Sequence, residues 1–347
     1  MPKTKLLRRA STCVWRIAPP EFAQRVALRG CTKGLWPSLP LVWPVAGACQ
    51  NARVSAALPW RHFLLALAVV SVWGTNFVVI KIALRELPPL LFAAMRFTMA
   101  LVPALFLLPR PAVPWKNLAL YGILIGVGQF GLLYIAMNGL IAPGTASLVI
   151  QLQVFFTIGL SIWINGERVR TFQWLALLLA TAGIAVIGAH ADGATSVGGV
   201  LLVVLAALAW AGGNLAAQRG KPANMLAYVV WSSAYSIAPL LALSLLWEGP
   251  EAAAAAVRQA SWATWGAVAW QAWGNTLFGY AAWGWLLARH PSATVMPMAL
   301  LLPVFGMGAS ALWLTESLPA WKLLAAALVI AGLAVNLFWE RLRAAFG

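Results

Sequence analysis

From His62 onward the chain is a succession of apolar runs, each close to the 17–25 residues an α-helix needs to cross a bilayer. Ten can be read, at 62–84, 89–108, 116–139, 143–164, 171–190, 198–218, 224–247, 264–288, 292–314 and 319–339. Lipid offers backbone N–H and C=O groups no partner, so runs of this length must satisfy themselves as helices. Turn residues punctuate them, among them Pro88-Pro89, Pro109-Arg110-Pro111, Pro143-Gly144, Asn165-Gly166 and Glu248-Gly249-Pro250. Only 9% of the 347 residues are charged and 62% are hydrophobic, whereas a soluble domain carries about 25% charged residues. The expected fold class is an all-α polytopic membrane protein with ten transmembrane helices.

The net charge of +16 is uneven, because residues 1–61 hold ten Lys/Arg against Glu21 alone. Residues 1–58 lack a sustained apolar run and are broken by Pro19, Pro20, Pro37, Pro40 and Pro44. They read as a basic, disordered extension, or as the product of a start codon set too far upstream. Such a tail suits anionic lipid headgroups better than nucleic acid, which is not an expected partner. Cys13, Cys31 and Cys49 all lie there, evenly spaced and unlike metal ligands, which come in close pairs. Threading the segments puts Arg110, Lys116, Arg168, Arg170, Arg219, Lys221 and Arg289 on the side of both termini, against Lys81, Arg85, Arg258 and Lys322 opposite. The positive-inside rule then predicts both termini in the cytoplasm, with the chain in a bacterial cytoplasmic membrane.

A register runs through these segments. Trp73 and Trp210 are 137 positions apart, Asn76 and Asn214 138, and Pro103 and Pro239 136. Phe130-Gly131 and Phe278-Gly279 are 148 apart, and Glu167/Glu316 and Gly183/Gly332 are both 149 apart. The offset jumps once, where an Ala-rich loop from Glu251 to Ala260 is inserted. This predicts two repeats, 59–190 and 191–347, of five helices each. An odd number of spans inverts the second repeat relative to the first, an architecture that places transporter sites near the midplane.

The run Trp73-Gly74-Thr75-Asn76-Phe77-Val78-Val79-Ile80-Lys81, followed by Pro88-Pro89-Leu90 and Arg96-Phe97, resembles the EamA family of the drug/metabolite transporter superfamily. So do Pro143-Gly144-Thr145-Ala146-Ser147-Leu148, Gln151, Phe155-Phe156 and Gly166-Glu167-Arg168, and, in the second half, Trp231-Ser232, Leu302-Pro303-Val304 and Glu316. The resemblance covers about residues 60–340 and is strongest to the amino-acid metabolite exporters, of cysteine/O-acetylserine type. It implies ten helices in two inverted repeats and export of small metabolites from the cytoplasm. Relatives that carry another small metabolite or a drug keep the substrate open.

Within this frame Arg96 stands about seven residues, roughly 10 Å, into the second segment, with no adjacent acid. Its counterpart in the other repeat is Ser232. Guanidinium binds a carboxylate by two parallel hydrogen bonds; capping carbonyls or snorkelling is the competing role, and the resembled family has an arginine here. Asn76 and Asn214 offer either ligand contacts or helix–helix hydrogen bonds. Gln129 and Gln151 can donate and accept; Gln151 shares a face with Phe155 while Gln153 points elsewhere, toward a neighbouring helix. Tyr134, Trp231 and Tyr280, with Tyr235, Trp273 and Asn275, would complete an aromatic-lined cavity. Trp73 and Lys81 are gate candidates, Lys81 with snorkelling as the plainer role. Pro103 and Pro239 break the helical ladder as pivots or as static kinks. Tryptophans near segment ends, such as Trp60, Trp115, Trp163, Trp247 and Trp262, read as interface anchors.

No Asp, Glu or His is central in a segment, so protonation of a buried carboxylate is not expected as the coupling step. No catalytic or metal-ligating constellation is apparent, so neither an enzyme, a cofactor nor a metal is expected. The expected function is export of small amino-acid-like metabolites by alternating access, with substrate and membrane lipid as partners and a homodimer compatible. A membrane-embedded enzyme or a scaffold that uses the basic tail are the weaker alternatives.

Overall fold

A computed structural model describes residues 58–165, 171–190, 195–290 and 292–346. The basic extension 1–57, its cysteines and Glu167 lie outside the described residues. Helices α1 to α7 are Trp60–Ala83, Pro89–Leu107, Trp115–Met137, Pro143–Ile164, Thr171–Ala189, Val197–Gly220 and Met225–Glu248. A short α8, Pro250–Gln259, precedes α9 (262–289), α10 (292–314) and α11, Ala320–Phe346. No strand appears among the described residues. Nine of the described helices are long and apolar enough to cross a membrane. Helix α9 runs unbroken through Trp262–Ala269, Trp270–Phe278 and Gly279–Arg289, and its tryptophans and amides lower its hydropathy.

The helices stop where local chemistry makes them stop. Pro89 and Pro143 open α2 and α4 at positions whose N–H would be unbonded anyway. The side chains of Ser196, Asn224 and Ser261 accept from Gly199, Ala227 and Thr264 backbone N–H groups and so cap α6, α7 and α9. One expectation is corrected: the Ala-rich insertion is a helix, not a loop. In α8, Pro250 and Glu251 sit in the first turn and Arg258 in the last, which suits both the fixed φ of proline and the helix dipole.

Departures from α geometry recur at corresponding places. Helices α3 and α9 turn π-helical at Ile123–Gly131 and Trp270–Phe278, while α4 and α10 tighten to 3₁₀ at Ile150–Leu152 and Met296–Leu301. Packing recurs too. Helix α2 lies on α7; α1 packs on α9 and α10, as α6 packs on α3 and α4. Helices α5 and α11 cross reciprocally: a Cβ on Gly183 would stand 2.9 Å from the Ala325 carbonyl oxygen, and one on Gly332 2.6 Å from that of Ala176. Phe172 stacks on Trp339 at 5.6 Å and His190 on Trp321 at 5.2 Å, so the two helices run antiparallel.

The two ends of the bundle are tied differently. At the end where α1, α3 and α7 finish, Glu248 accepts from the Leu90 and Leu91 N–H groups at 2.6 and 3.1 Å. Glu316 accepts from Gly144 N–H at 3.0 Å and pairs with Lys322 at 2.9 Å. Each carboxylate thus fills the electropositive first turn of a helix, α2 or α4. Glu86 accepts from Ser261 N–H at 2.7 Å, and this bond, with those from the Thr264 and Ser261 hydroxyls, holds its carboxyl below the usual range. At the opposite end, His62 Nδ1 and His290 Nε2 are 2.7 Å apart. Burial, then the charges of His62 and Arg289, lowers the His290 pKa. Trp60, Trp115, Trp163, Trp247 and Trp262 are exposed near helix ends, as lipid-interface anchors would be.

Candidate functional site

The buried charge in the middle of this bundle is Arg96, 1% exposed. Its Nη1 donates to Tyr134 Oη at 3.0 Å on α3, and its Nη2 donates to Thr276 Oγ1 at 2.8 Å on α9. Its guanidinium carbon lies 3.9 Å from the Phe130 ring centre and 4.8 Å from that of Phe97. Among the described residues it has no ion-pair partner, and its Nε has no acceptor. An isolated cation in a dry interior is costly. Two neutral hydroxyls and two ring faces offset part of that cost, yet a guanidinium carries five N–H donors and two are used here. The protein itself therefore leaves part of the guanidinium's donor capacity unused.

The local backbone sets this geometry. Thr276 donates its hydroxyl to the Gln271 carbonyl, five residues back in the π stretch of α9, at 3.0 Å. Its remaining lone pairs therefore face Arg96. Tyr134 is held flat against Phe92, ring centres 4.7 Å apart. On α1, Trp73 donates to the Asn275 carbonyl at 3.1 Å and packs on Tyr280 and Trp283. Tyr280 also interacts with Tyr121 and lies within electrostatic reach of Arg96. Asn76, one turn beyond Trp73, is buried with an unpartnered Oδ1, as is Gln129 with its Oε1, next to Phe130. So Arg96, Tyr134 and Tyr280 come together with Trp73 beside them, and unpaired amides lie on the adjoining helices.

The other sequence candidates lie elsewhere. Asn214 on α6 donates to Gln153 Oε1 at 3.0 Å and Thr157 Oγ1 at 3.1 Å, which makes it a tie to α4. Gln151 is buried in the 3₁₀ turn of α4. Trp231 donates to the Leu108 carbonyl at 3.2 Å, about 18 Å along α2 from Arg96 at 1.5 Å per residue. Lys81 donates to the Met137 carbonyl at 3.2 Å, a cation on the carbonyl end of α3. Pro103 and Pro239 stand inside α2 and α7, the two helices that pack on each other. Sequence reasoning missed Thr276, Gln271 and Tyr121. The nearest signal was Asn275, beside Thr276, but a π register cannot be read from hydropathy. Among the described residues no group of three or more His, Cys, Asp or Glu could hold a metal.

Comparison with known proteins adds to this geometry. The model of the EamA-like transporter family matches the chain twice, over residues 60–189 and 197–338. A protein of Salmonella typhimurium named as a probable amino-acid metabolite efflux pump is 39% identical over 285 residues, covering 80% of this chain and 95% of the relative. Its namesake in Escherichia coli K12 is 38% identical over 293 residues, covering 81% and 96%. A solved crystal structure with a TM-score of 0.54 and 20% identity covers 80% of this chain and 95% of its own, a likeness of fold alone.

Proposed function

The chain belongs to the EamA-like transporter family, and on that premise we propose that it exports small amino-acid-like metabolites, of the cysteine and O-acetylserine kind, by alternating access. The observation that carries the reading is Arg96: a fully buried guanidinium with no carboxylate partner among the described residues and with donors to spare. A substrate carboxylate completes it, and the aromatic walls and amide groups receive the remainder of a small zwitterion. The names of the Salmonella and Escherichia relatives point to the same substrate class.

The proposal includes ten spans, with α9 as the eighth, arranged as two inverted repeats over 59–190 and 191–347. The reciprocal α5–α11 crossing, the antiparallel run of those helices and the matching π and 3₁₀ stretches support it. Placing the His62–His290 end in the cytoplasm of a bacterial inner membrane puts Arg110, Lys116, Arg219, Lys221 and Arg289 there with it. The test is release of cysteine and O-acetylserine into the medium by overproducing cells. Arg96→Ala should abolish release while the protein still inserts, and undiminished release would overturn the assignment.

A further inference from the structure

Among the described residues Gln271 is the buried side chain whose two polar atoms, Oε1 and Nε2, both lack a partner. It is 0% exposed. A buried amide left wholly unsatisfied costs several kcal/mol in an apolar medium, so such groups are kept where something else fills them. Its position says what. In an α-helix Gln271 and Thr276, five residues apart, would point about 140° away from each other. The π stretch Trp270–Phe278 replaces that register with i→i+5 bonding, which stacks residues five apart. Thr276 holds Arg96, so Gln271 stands one turn, ~5 Å, along α9 from the residue that bonds the guanidinium.

The direction of that step is fixed by the ties at the helix ends. Helix α9 starts at Ser261, bonded to Glu86 just after α1, and ends beside His290, bonded to His62 at the start of α1. Helix α3 finishes at Met137, where Lys81 near the end of α1 is bonded. Helices α3 and α9 are therefore antiparallel. Gln271 precedes Thr276 on α9 and lies from Arg96 toward the Glu86 end. Gln129 precedes Tyr134 on α3 and lies toward the His62 end. Both carry an unpartnered Oε1.

We infer that Gln271 is a substrate-binding residue, the counterpart of Gln129 on the other side of Arg96. The substrate's carboxylate stays on Arg96 while its ammonium is received by Gln129 from one end of the bundle and by Gln271 from the other. Neutral amide oxygens suit this: they accept from an ammonium without pairing permanently with Arg96, as a carboxylate would. This rests on the reading of Arg96 as the carboxylate receptor.

The test is transport of radiolabelled cysteine by the full chain, measured in right-side-out and in everted membrane vesicles. Gln271→Leu should raise KM about tenfold for cysteine presented at the Glu86 end, the loss of one hydrogen bond to a charged group. KM from the His62 end should stay within about twofold. Because net transport without an energy source must balance, Vmax from the Glu86 end should rise in step. Gln129→Leu should give the mirror image. The near-isosteric Gln271→Met should behave as Gln271→Leu, which separates the effect from a packing fault. Equal KM changes from both ends, or none, with a shift in melting temperature alone would overturn the role of Gln271. Arg96→Ala in the same vesicles keeps the two claims apart. If it leaves transport intact, the reading of the site fails as a whole. If it abolishes transport and Gln271→Leu is symmetric, the Gln271 assignment alone fails.

Discussion

Arg96 on α2 and Ser232 on α7 occupy corresponding positions in the two halves, and both are buried to 1%. One is a cation held by a tyrosine, a threonine and two rings; the other is a hydroxyl with no partner. The same contrast holds around them. At the offset of 148, Gln129 and Tyr134 on α3 answer to Leu277 and Ala282 on α9, while Asn275 and Thr276 on α9 answer to Val127 and Gly128 on α3. The halves share their backbone departures and their helix pairing, but around Arg96 and Ser232 they do not share their polar side chains. The two halves share a scaffold, and the side chains around Arg96 and Ser232 make its two corresponding places chemically different.

The largest effect that can break this contrast is on Arg96 itself. Arg96→Ala should lower flux about a hundredfold or more, the scale expected when a buried charge-assisted contact is lost. Ser232→Ala should stay within about twofold, and a comparable loss in both would mean that the two positions are equivalent after all. Reconstituted transport alongside a melting curve reads both.

Packing gives the next contrast. A Cβ on Gly74 would run into Phe305 Cβ and stand 2.8 Å from the Leu302 carbonyl, both close to the backbone of α10. Its counterpart Gly212 would meet a methyl of Leu124 at 3.2 Å, the movable end of a side chain. Gly74→Ala should therefore cost about 1–3 kcal/mol and Gly212→Ala less than about 1, measured by unfolding in detergent.

Asn76 and Asn214 sharpen it further. Asn214→Leu removes two hydrogen bonds to α4 and should destabilise the fold by about 1 kcal/mol, in the range found for bonds between membrane helices. Asn76→Leu buries no lost partner and should leave stability unchanged while reducing flux severalfold.

The smallest effect expected is on pH. His62 and His290 join α1 to the end of α9, whereas the matching place in the other half is an uncharged contact of Gly199 and Ser196 with Leu140. The His290 pKa is lowered below its ordinary value of 6.5 in the folded protein. The unfolded chain then binds the extra proton first, so the contribution of His290 is complete above 6.5 and declines as pH falls through that value toward the lowered one. Melting temperature should drop between about pH 7.5 and 5.5, and His290→Gln should flatten that slope.

Much of the fold is legible in the sequence. Apolar runs of membrane-crossing length, ended by prolines and capping residues, located the helices to within a few residues, because backbone groups in lipid must bond internally. Arg96 was legible as a candidate for the same reason, since a charge at that depth is costly, and it is indeed buried. The Pro250–Gln259 helix was not legible, since an alanine-rich stretch of low hydropathy between two spans suits a helix or a loop equally by composition. Nor was the division between Asn76 and Asn214, two asparagines in corresponding segments. One is bonded across to Gln153 and Thr157 and the other is left open, and nothing in their flanking residues distinguishes them.

The sequence by itself determined that this chain crosses a membrane repeatedly, that its halves correspond, and that a lone arginine lies among apolar neighbours. Those are properties of composition and spacing, which act along the chain. Only the tertiary structure decided who surrounds that arginine. Thr276 reaches Arg96 from 180 residues away, and Gln271 shares its face because a π turn replaces the α register. Hydropathy counts residues in lipid but carries no record of hydrogen-bond register or of which helix lies alongside, and the chemistry of the site depends on both.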